Sequence, residues 1–265
     1  MKRPDFAIFV DKDGTMNLQD KRLDNIFKLI HSMNGIIIPT TGRTVGDIRE
    51  DLSGNKLISP PLLIGDNGGS IYSTKDKEFI SKKTLDVEKV EDTISRFVEL
   101  GGNPEMIRLT DGEFIYAIKH PDIQSYYTRK NTVKYGKDID HLLEIMPEIT
   151  KITLSGTKQQ MQDMSEYVKS LNFWSDMGKT KFPTANYQHY RLDVAHKNIN
   201  KGNAVHAVVS TLKPSFGYMC IGNGENDISM FKQAIDDNMM IGIMADSPQA
   251  VIDEMQDYKR LKKKR

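Results

Sequence analysis

Phe6-Ala7-Ile8-Phe9-Val10 runs without a break into Asp11-Lys12-Asp13-Gly14-Thr15 near the start of the sequence. The first five residues are all apolar, which is typical of a strand that is buried on both faces of a parallel sheet. The next five are mostly polar and include two carboxylates. Ligands of parallel α/β sheets bind beyond the carboxyl ends of the strands. The junction therefore predicts both a class of fold and the place where a site would lie.

The same alternation continues along the chain. Two further apolar runs, Ile36–Ile38 and Leu62–Ile64, predict buried strands. Stretches with helical spacing separate the three runs, and such strand–helix–strand units form right-handed crossovers in a mainly parallel sheet. The apolar residues with helical spacing are Leu23, Ile26, Phe27, Ile30 and Met33 before the second run, and Val45, Ile48 and Leu52 before the third.

The pattern changes after about residue 81. Asp111-Gly112 is a hairpin signal between two apolar stretches, and helical stretches then alternate with short strands. The α/β pattern resumes with a predicted helix over 203–211 and a strand over 217–221. We therefore predict an α/β fold with a Rossmann-like core formed by residues 1–81 and 191–265. An α+β domain over residues 82–190 is inserted into this core.

Composition excludes several classes of protein. The 265 residues include 37 Lys and Arg against 36 Asp and Glu, a net charge of +1, which argues against binding nucleic acid by bulk charge. The single Cys220 excludes a disulfide framework, and no apolar run is long enough for a membrane span. Phe6–Val10 is too short for the core of a signal peptide. We expect a cytoplasmic protein without nucleic-acid or membrane partners, and we interpret the basic end, Lys259–Arg265, as a solvated tail.

Three polar clusters directly follow predicted strands, and the first contains Asp11 and Asp13. One such carboxylate can attack while the other handles a proton, because different environments separate their pKa values. A hard, oxygen-binding cation such as Mg²⁺ is the natural partner of two close carboxylates. A helix cap or a turn is the alternative interpretation of this cluster.

The other two clusters are Thr40–Arg43 and Gly222–Asp227. Thr41 is placed to donate a hydrogen bond to an anion at the start of a helix, although ordinary capping by Thr40, Thr41 or Thr44 explains the pattern equally well. The later cluster supplies oxygen donors for a metal, and a solvated turn would have the same composition.

Taken in order, these clusters and one more resemble the four motifs of haloacid dehalogenase-like phosphatases. The motifs are Asp11–Thr15, Thr41–Arg43, Asn200–Ala204 and Gly222–Asp227. The resemblance is closest to the Cof-type, type IIB branch, in which an α/β cap lies between the second and third motifs. It implies a C2B-type cap domain that closes over the substrate.

The resemblance also implies catalytic roles. Asp11 would be the nucleophile that forms an aspartyl-phosphate, and Asp13 would be the general acid and base. Lys201 would neutralise the charge of the phosphoryl group. Thr41, with Gly42 and Arg43 of the same motif, would bind that group.

The resemblance implies Mg²⁺ as the cofactor, with one departure from the family's pattern. The metal would be held by Asp11, Asp13 and two residues of the fourth motif, Asn223 and Asp227. The family usually has Asp where this chain has Asn223. An amide keeps an oxygen donor but removes one negative charge, so we expect weaker binding of Mg²⁺.

The expected function is hydrolysis of a small phosphorylated metabolite, such as a sugar phosphate or a phosphoglycerate derivative, by a Mg²⁺-dependent phosphatase. Two alternatives stay open. A related type IIB branch consists of phosphomutases, which transfer the phosphoryl group between sugar hydroxyls. Asn223 is also compatible with a weakly catalytic protein that binds a phosphorylated metabolite.

Overall fold

The computed structural model describes residues 3–13, 15, 28–53, 60–127, 131–146, 148–180, 182 and 189–243. The chain divides into two compact units. The first, here called the core unit, consists of residues 1–81 and 200–265, and the second, the inserted unit, of residues 82–199. The basic tail at 259–265 lies outside the described residues.

The elements are numbered in chain order. The first part of the core unit contains β1 (Phe6–Val10), β2 (Gly35–Pro39), α1 (Val45–Ser53), β3 (Leu62–Gly65), β4 (Ser70–Ser73) and β5 (Glu78–Lys82). The inserted unit contains α2 (Val87–Glu99), β6 (Arg108–Thr110), β7 (Ile115–Ile118), α3 (Pro121–Tyr126), β8 (Val133–Gly136), α4 (Ile139–Ile145), β9 (Lys151–Gly156), α5 (Lys158–Ser170), β10 (Phe173–Thr180) and β11 (His189–His196). The second part of the core unit contains α6 (Lys201–Leu212), β12 (Tyr218–Gly222), α7 (Ile228–Asp236) and β13 (Met240–Ile243).

A parallel sheet with the order β13-β12-β1-β2 forms the centre of the core unit. Its apolar runs are buried as the sequence predicts, with Phe9 and Ile38 fully enclosed. Val205 of α6 and Phe231 of α7 belong to the same apolar cluster. The predicted α/β core with a mainly parallel sheet is confirmed.

The third predicted strand of this sheet, β3, is paired differently from β1 and β2. It pairs antiparallel with β4 in a separate sheet of order β3-β4-β5. A single parallel bridge between Thr40 and Ile64 connects it to the end of β2. The backbone of β3 is therefore paired mainly with its hairpin partner β4, and β3 is not a full strand of the parallel sheet.

The inserted unit is built on a sheet of order β10-β11-β9-β6-β7-β8, and all described pairs in it are antiparallel except β7 with β8. Apolar residues of β6, β9 and β11 pack with residues of α2 and α5, including Leu109, Leu154 and Phe97. The predicted α+β character of the insertion is confirmed.

The second domain boundary requires a correction. The predicted boundary after residue 190 would cut β11, which lies between β10 and β9 in the sheet of the inserted unit. The inserted unit therefore continues to Ile199, and the core unit resumes at Asn200. In the described part of the chain, no helix has both the length and the apolar character needed to cross a membrane.

Candidate active site

The predicted polar clusters meet at the carboxyl edge of the parallel sheet. Val10, at the end of β1, is in register with Pro39 on one side and with Ile221 on the other. The backbone N–H of Asp11 donates to the carbonyl of Ile221, and that of Thr40 donates to the carbonyl of Val10, both at 2.8 Å. The three segments that follow β1, β2 and β12 therefore leave the sheet side by side.

The ammonium of Lys201 lies between two buried carboxylates. Its Nζ is 2.5 Å from Oδ1 of Asp11 and 2.5 Å from Oδ1 of Asp227. Lys201 is the first residue of α6, where the side chain of Asn200 caps the helix by accepting from the N–H of Asn203 at 2.8 Å. Buried charges are tolerated only when they are paired, and here each carboxylate is paired with Lys201. This one cation therefore joins the first, third and fourth motifs.

The environment of Asp11 opposes its ionisation. Burial raises the pKa of its carboxyl to about 6, with the Lys201 ammonium acting to lower it and the charge of Asp227 to raise it. A nucleophilic carboxylate must be ionised, and a cation bound to it would favour that form. An aspartate on the surface would keep its usual pKa near 3.8, so the raised pKa of Asp11 marks it as a candidate functional group.

The carboxylate of Asp227 accepts three hydrogen bonds from the protein. Besides the contact of Oδ1 with Lys201, its Oδ2 accepts from the backbone N–H groups of Asn223 at 2.8 Å and Gly224 at 3.1 Å. Gly222 permits this arrangement, because a Cβ at that position would lie 2.4 Å from the Asp227 carboxyl. Asp227 thus fixes the turn of the fourth motif and holds Lys201 in place.

Arg43 connects the second motif to the first. It donates to Asp13 from Nε at 2.8 Å and also from Nη2, while Nη1 donates to Asp51 at 3.1 Å. Lys12 also forms an ion pair with Asp51. Although burial lowers the pKa of Arg43, its hydrogen bond to Asp13 and the nearby carboxylate charges raise that pKa above its usual value. Arg43 therefore stays charged and holds the side chain of Asp13.

The two interpretations of the second motif apply to different threonines. The hydroxyl of Thr44 accepts from the N–H of Asp47 at 3.2 Å, so Thr44 is the residue that caps α1. Thr41 is buried, and its hydroxyl accepts from the N–H of Arg43 at 3.3 Å. A hydroxyl that accepts a hydrogen bond still carries a proton to donate. Thr41 can therefore serve an anion.

Asn223 contacts the first motif directly. Its Nδ2 donates to the backbone carbonyl of Asp13 at 2.9 Å. A carboxylate at this position could only accept hydrogen bonds. The departure from the family's pattern therefore changes the kind of contact between the two loops as well as their charge.

Asn67 is a component of the site that sequence reasoning missed, since the pattern over 66–69 predicts only a turn. The residue is buried in a left-handed conformation with a φ of 55°, and its N–H donates to the carbonyl of Thr41 at 2.9 Å. A Cβ at Gly42 would lie 3.0 Å from Oδ1 of Asn67. Asn67 therefore packs against the 41–43 loop and holds it by a hydrogen bond. The Asn67-Gly68 pair predicts the turn in the backbone but not this contact.

Comparison with known protein families identifies the family of the chain. The family model of the haloacid dehalogenase-like hydrolases matches residues 8–252, a range that includes every site residue described above. The chain belongs to the haloacid dehalogenase-like hydrolases. The family inferred from the four motifs is thus confirmed, as is the prediction that the chain is an enzyme of the hydrolase class.

Solved structures of haloacid dehalogenase-like proteins share the fold. One from B. subtilis has a TM-score of 0.66 at 16% identity and covers 89% of this chain and 94% of its own. A subclass IIB sugar phosphatase has a TM-score of 0.66 at 17% identity and covers 97% of both chains. A HAD/COF-like hydrolase from Plasmodium vivax has a TM-score of 0.66 at 15% identity and covers 87% of this chain and 83% of its own. No curated protein sequence matches the chain at a significant level.

The donors available to the Mg²⁺ implied by the haloacid dehalogenase-like family differ from an all-carboxylate site. Among the described residues, no group of three or more His, Cys, Asp or Glu side chains is placed to hold a metal ion. The structure instead offers the Asp11 carboxylate, which contacts Lys201, and the Asp13 carbonyl, which lies beside the Asn223 amide. Carboxylate, carbonyl and amide oxygens are ligands that Mg²⁺ accepts. The residues therefore fit this ion in donor type, with Asp11 as the anionic member.

Proposed function

We propose that the chain is a cytoplasmic, Mg²⁺-dependent phosphatase that hydrolyses a small phosphorylated metabolite, either a sugar phosphate or a phosphoglycerate-type compound. Membership of the haloacid dehalogenase-like hydrolases supports the reaction class. The fold shared with a subclass IIB sugar phosphatase supports the substrate class. Another solved structure of the same fold belongs to a phosphoryl-transfer superfamily, with a TM-score of 0.65 at 17% identity and 97% coverage of both chains, which supports the same reaction class.

The bridge from Asp11 through Lys201 to Asp227 is the observation that carries this proposal. Its two 2.5 Å contacts bring together residues that are far apart in the sequence. Keeping three ionisable groups buried in this way is costly for folding. Phosphoryl transfer needs positioned charges of this kind, because catalysis consists mainly of placing the reactants and neutralising the phosphoryl oxygens.

In the proposed reaction, a carboxylate oxygen of Asp11 attacks phosphorus and the bond from phosphorus to the leaving oxygen breaks. Protonated Asp13 gives its proton to that oxygen, which leaves as an alcohol. The Asp13 carboxylate then removes a proton from a water molecule, whose oxygen attacks the aspartyl-phosphate. Inorganic phosphate is released, the Asp11 carboxylate is regenerated, and Asp13 is again protonated.

The other site residues bind and orient. Lys201 offsets the negative charge of the phosphoryl group, and Thr41 donates its hydroxyl proton to a phosphoryl oxygen. Arg43 belongs to the same loop and acts by holding Asp13. Mg²⁺ would be held by Asp11, the carbonyl of Asp13 and Asn223, with Asp227 as a direct or water-mediated ligand. It would add positive charge at the phosphoryl oxygens.

Selection of the substrate is assigned to the inserted unit. In this proposal it is the cap of the haloacid dehalogenase-like family, and its side chains distinguish between leaving groups. A panel of phosphorylated metabolites, assayed for release of inorganic phosphate, identifies the preferred class. Dependence on a bisphosphate activator with little free phosphate would instead indicate the phosphomutase.

The test of the proposed function is release of phosphate from p-nitrophenyl phosphate with Mg²⁺ and with EDTA. Asp11→Asn should abolish the Mg²⁺-dependent reaction. Asp92→Asn, the same chemical change at an exposed position of α2, should leave the rate unchanged. Full activity in the Asp11→Asn protein would show that the mechanism is wrong.

A second function is favoured by Asn223, whose amide donates to the carbonyl that would otherwise face the metal. In this alternative the chain binds a phosphorylated metabolite and turns it over slowly or not at all. Tight binding by calorimetry without hydrolysis, and a gain of hydrolysis in Asn223→Asp, would support the binding function. Efficient turnover by the natural sequence would exclude it.

A further inference from the structure

A side-chain hydrogen bond joins the loops of the first and fourth motifs directly, in addition to the bridge from Asp11 through Lys201 to Asp227. Nδ2 of Asn223 donates to the backbone carbonyl of Asp13 at 2.9 Å. Asn223 also donates its backbone N–H to Asp227, so the residue is held at both ends. The carbonyl of Asp13 is one of the oxygens proposed to bind the metal. The Asn223 amide therefore contacts an oxygen that would otherwise be a metal ligand.

An aspartate at this position would behave differently. It would place carboxylate oxygens next to the carbonyl oxygen of Asp13, and two acceptors repel unless a cation or a donor lies between them. A divalent cation would then be needed to draw the loops together. With asparagine, the amide supplies the donor itself, and the loops need no cation for their contact.

The charges nearby lead to the same conclusion. The buried Asp11, Asp227 and Lys201 together carry one net negative charge when all are ionised. Both oxygens of Asp227 are already engaged, one by Lys201 and the other by two backbone N–H groups. Asn223 adds no charge. The site is therefore close to electrostatic balance with its own residues.

We propose that the Asn223 amide replaces a divalent cation as the direct link between the loops of the first and fourth motifs. The site is then assembled without a divalent ion, and Mg²⁺ binds weakly because it must displace a hydrogen bond and meets one carboxylate fewer. This inference rests on the proposed function only in taking Mg²⁺ as the cation of the site. It assigns to Asn223 a positioning role that a merely tolerated substitution would not have.

The experiment measures thermal unfolding of the full chain in EDTA and in millimolar Mg²⁺, together with Mg²⁺ binding by calorimetry. The natural protein should show nearly the same Tm in both conditions. Asn223→Asp should unfold at a lower temperature in EDTA, recover in Mg²⁺ and bind Mg²⁺ at least about tenfold more tightly. Asn223→Ala should lose the same amount of Tm in both conditions, since it removes the hydrogen bond without adding charge.

Asn238→Asp is the matched control. It makes the same chemical change at an exposed residue of the core unit, in the turn between α7 and β13. Because Asn238 has a left-handed φ of 58°, the control is read as the difference in Tm between the two conditions, which should be as small as in the natural protein. A large Mg²⁺-induced rise of Tm in the natural protein would overturn the proposal, and so would equal Mg²⁺ affinities for the natural protein and Asn223→Asp.

Failure of this inference is distinguishable from failure of the proposed function. Both readouts concern binding and unfolding, whereas the function is tested by release of phosphate. The expected pattern of Tm values without phosphatase activity would uphold the role of Asn223 and reject the function. Robust hydrolysis together with tight Mg²⁺ binding by the natural protein would uphold the function and reject the role of Asn223.

Discussion

Arg43 grips the carboxylate of Asp13 with two hydrogen bonds, from Nε at 2.8 Å and from Nη2. A guanidinium that contacts both oxygens fixes the plane of a carboxylate as well as its distance. Arg43 also reaches Asp51, which keeps the guanidinium itself in place. The second motif therefore orients the residue proposed to transfer protons in the first.

Replacing this guanidinium should impair proton transfer selectively. The single ammonium in Arg43→Lys cannot match both oxygens of Asp13. We expect kcat for an alkyl phosphate to fall about tenfold to hundredfold, within the range of general acid–base catalysis. The loss should be smaller for p-nitrophenyl phosphate, whose leaving group needs no proton. Steady-state kinetics with both substrates measure this, with Arg96→Lys on α2 as the control, and equal losses for both substrates would contradict it.

Removing the bridging ammonium should be costly for folding. In Lys201→Met, the buried carboxylates of Asp11 and Asp227 face each other without a cation, and we expect the free energy of unfolding to fall by about 3–5 kcal/mol. Urea unfolding measures the change. Adding Asp227→Asn should recover part of the loss, and the exposed Lys75→Met should change stability by about 0.5 kcal/mol at most. A Lys201→Met protein as stable as its parent would refute the bridge.

Ionisation of Asp11 should destabilise the metal-free fold. Because its folded pKa is raised from 3.8 to about 6, the folded state binds more protons than the unfolded state between these values. Stability is then lost as the pH rises through this window. Asp11→Asn removes this penalty, so its advantage over the natural protein in EDTA should grow by on the order of 1–3 kcal/mol between about pH 4 and pH 7. Urea unfolding across that range tests it, and a constant difference would count against it.

Asp193 should stabilise the inserted unit. Burial alone would raise the pKa of Asp193, but Arg191, Lys151 and a hydrogen bond from Thr153 together lower it below its usual value. Arg191 lies 3.3 Å away and is 37% exposed, so its attraction is partly screened. We expect Asp193→Asn to lower the free energy of unfolding by about 2–3 kcal/mol at neutral pH.

The sign of the pH dependence follows from the lowered pKa of Asp193. Its contribution is complete above the usual pKa of an aspartate and is lost as the pH falls through the folded value. The gap between Asp193→Asn and the natural protein should therefore narrow below about pH 4. Asp92→Asn, at an exposed position of α2 in the same unit, serves as the control. A gap that widens in acid would show that the carboxylate is not stabilising.

Where burial dominates, the sequence was sufficient to predict the fold. Phe6–Val10 is apolar throughout because both faces of β1 are packed: Phe9 belongs to the apolar cluster that includes α6 and α7, and Val10 to the one that includes α1. The structure has the strand at the predicted residues. β11 was missed although Leu192 and Val194 alternate with charged residues. One face of this strand carries the ion pair of the partly exposed Arg191 with the buried Asp193, so its polar positions look like those of a solvated loop.

For the site, the order of the motifs was enough to predict that Asp11, Lys201 and Asp227 belong together. It could not predict contacts that depend on the path of a loop. Asn67 reaches Thr41 only because the segment after β3 adopts left-handed backbone. The amide of Asn223 likewise meets the carbonyl of Asp13 through a backbone atom, which no side-chain pattern reveals.

Transfer of the phosphoryl group to Asp11 is the step on which the proposed mechanism depends. Asp13→Asn provides a trap, because p-nitrophenolate leaves without a proton whereas attack by water then lacks its base. The measurement is acid quenching of Asp13→Asn mixed with p-nitrophenyl phosphate and Mg²⁺, followed by mass spectrometry of the protein. We expect a burst of about one p-nitrophenol per chain and one phosphoryl group on Asp11. No burst and no phosphorylated protein, or a phosphoryl group on another residue, would contradict it.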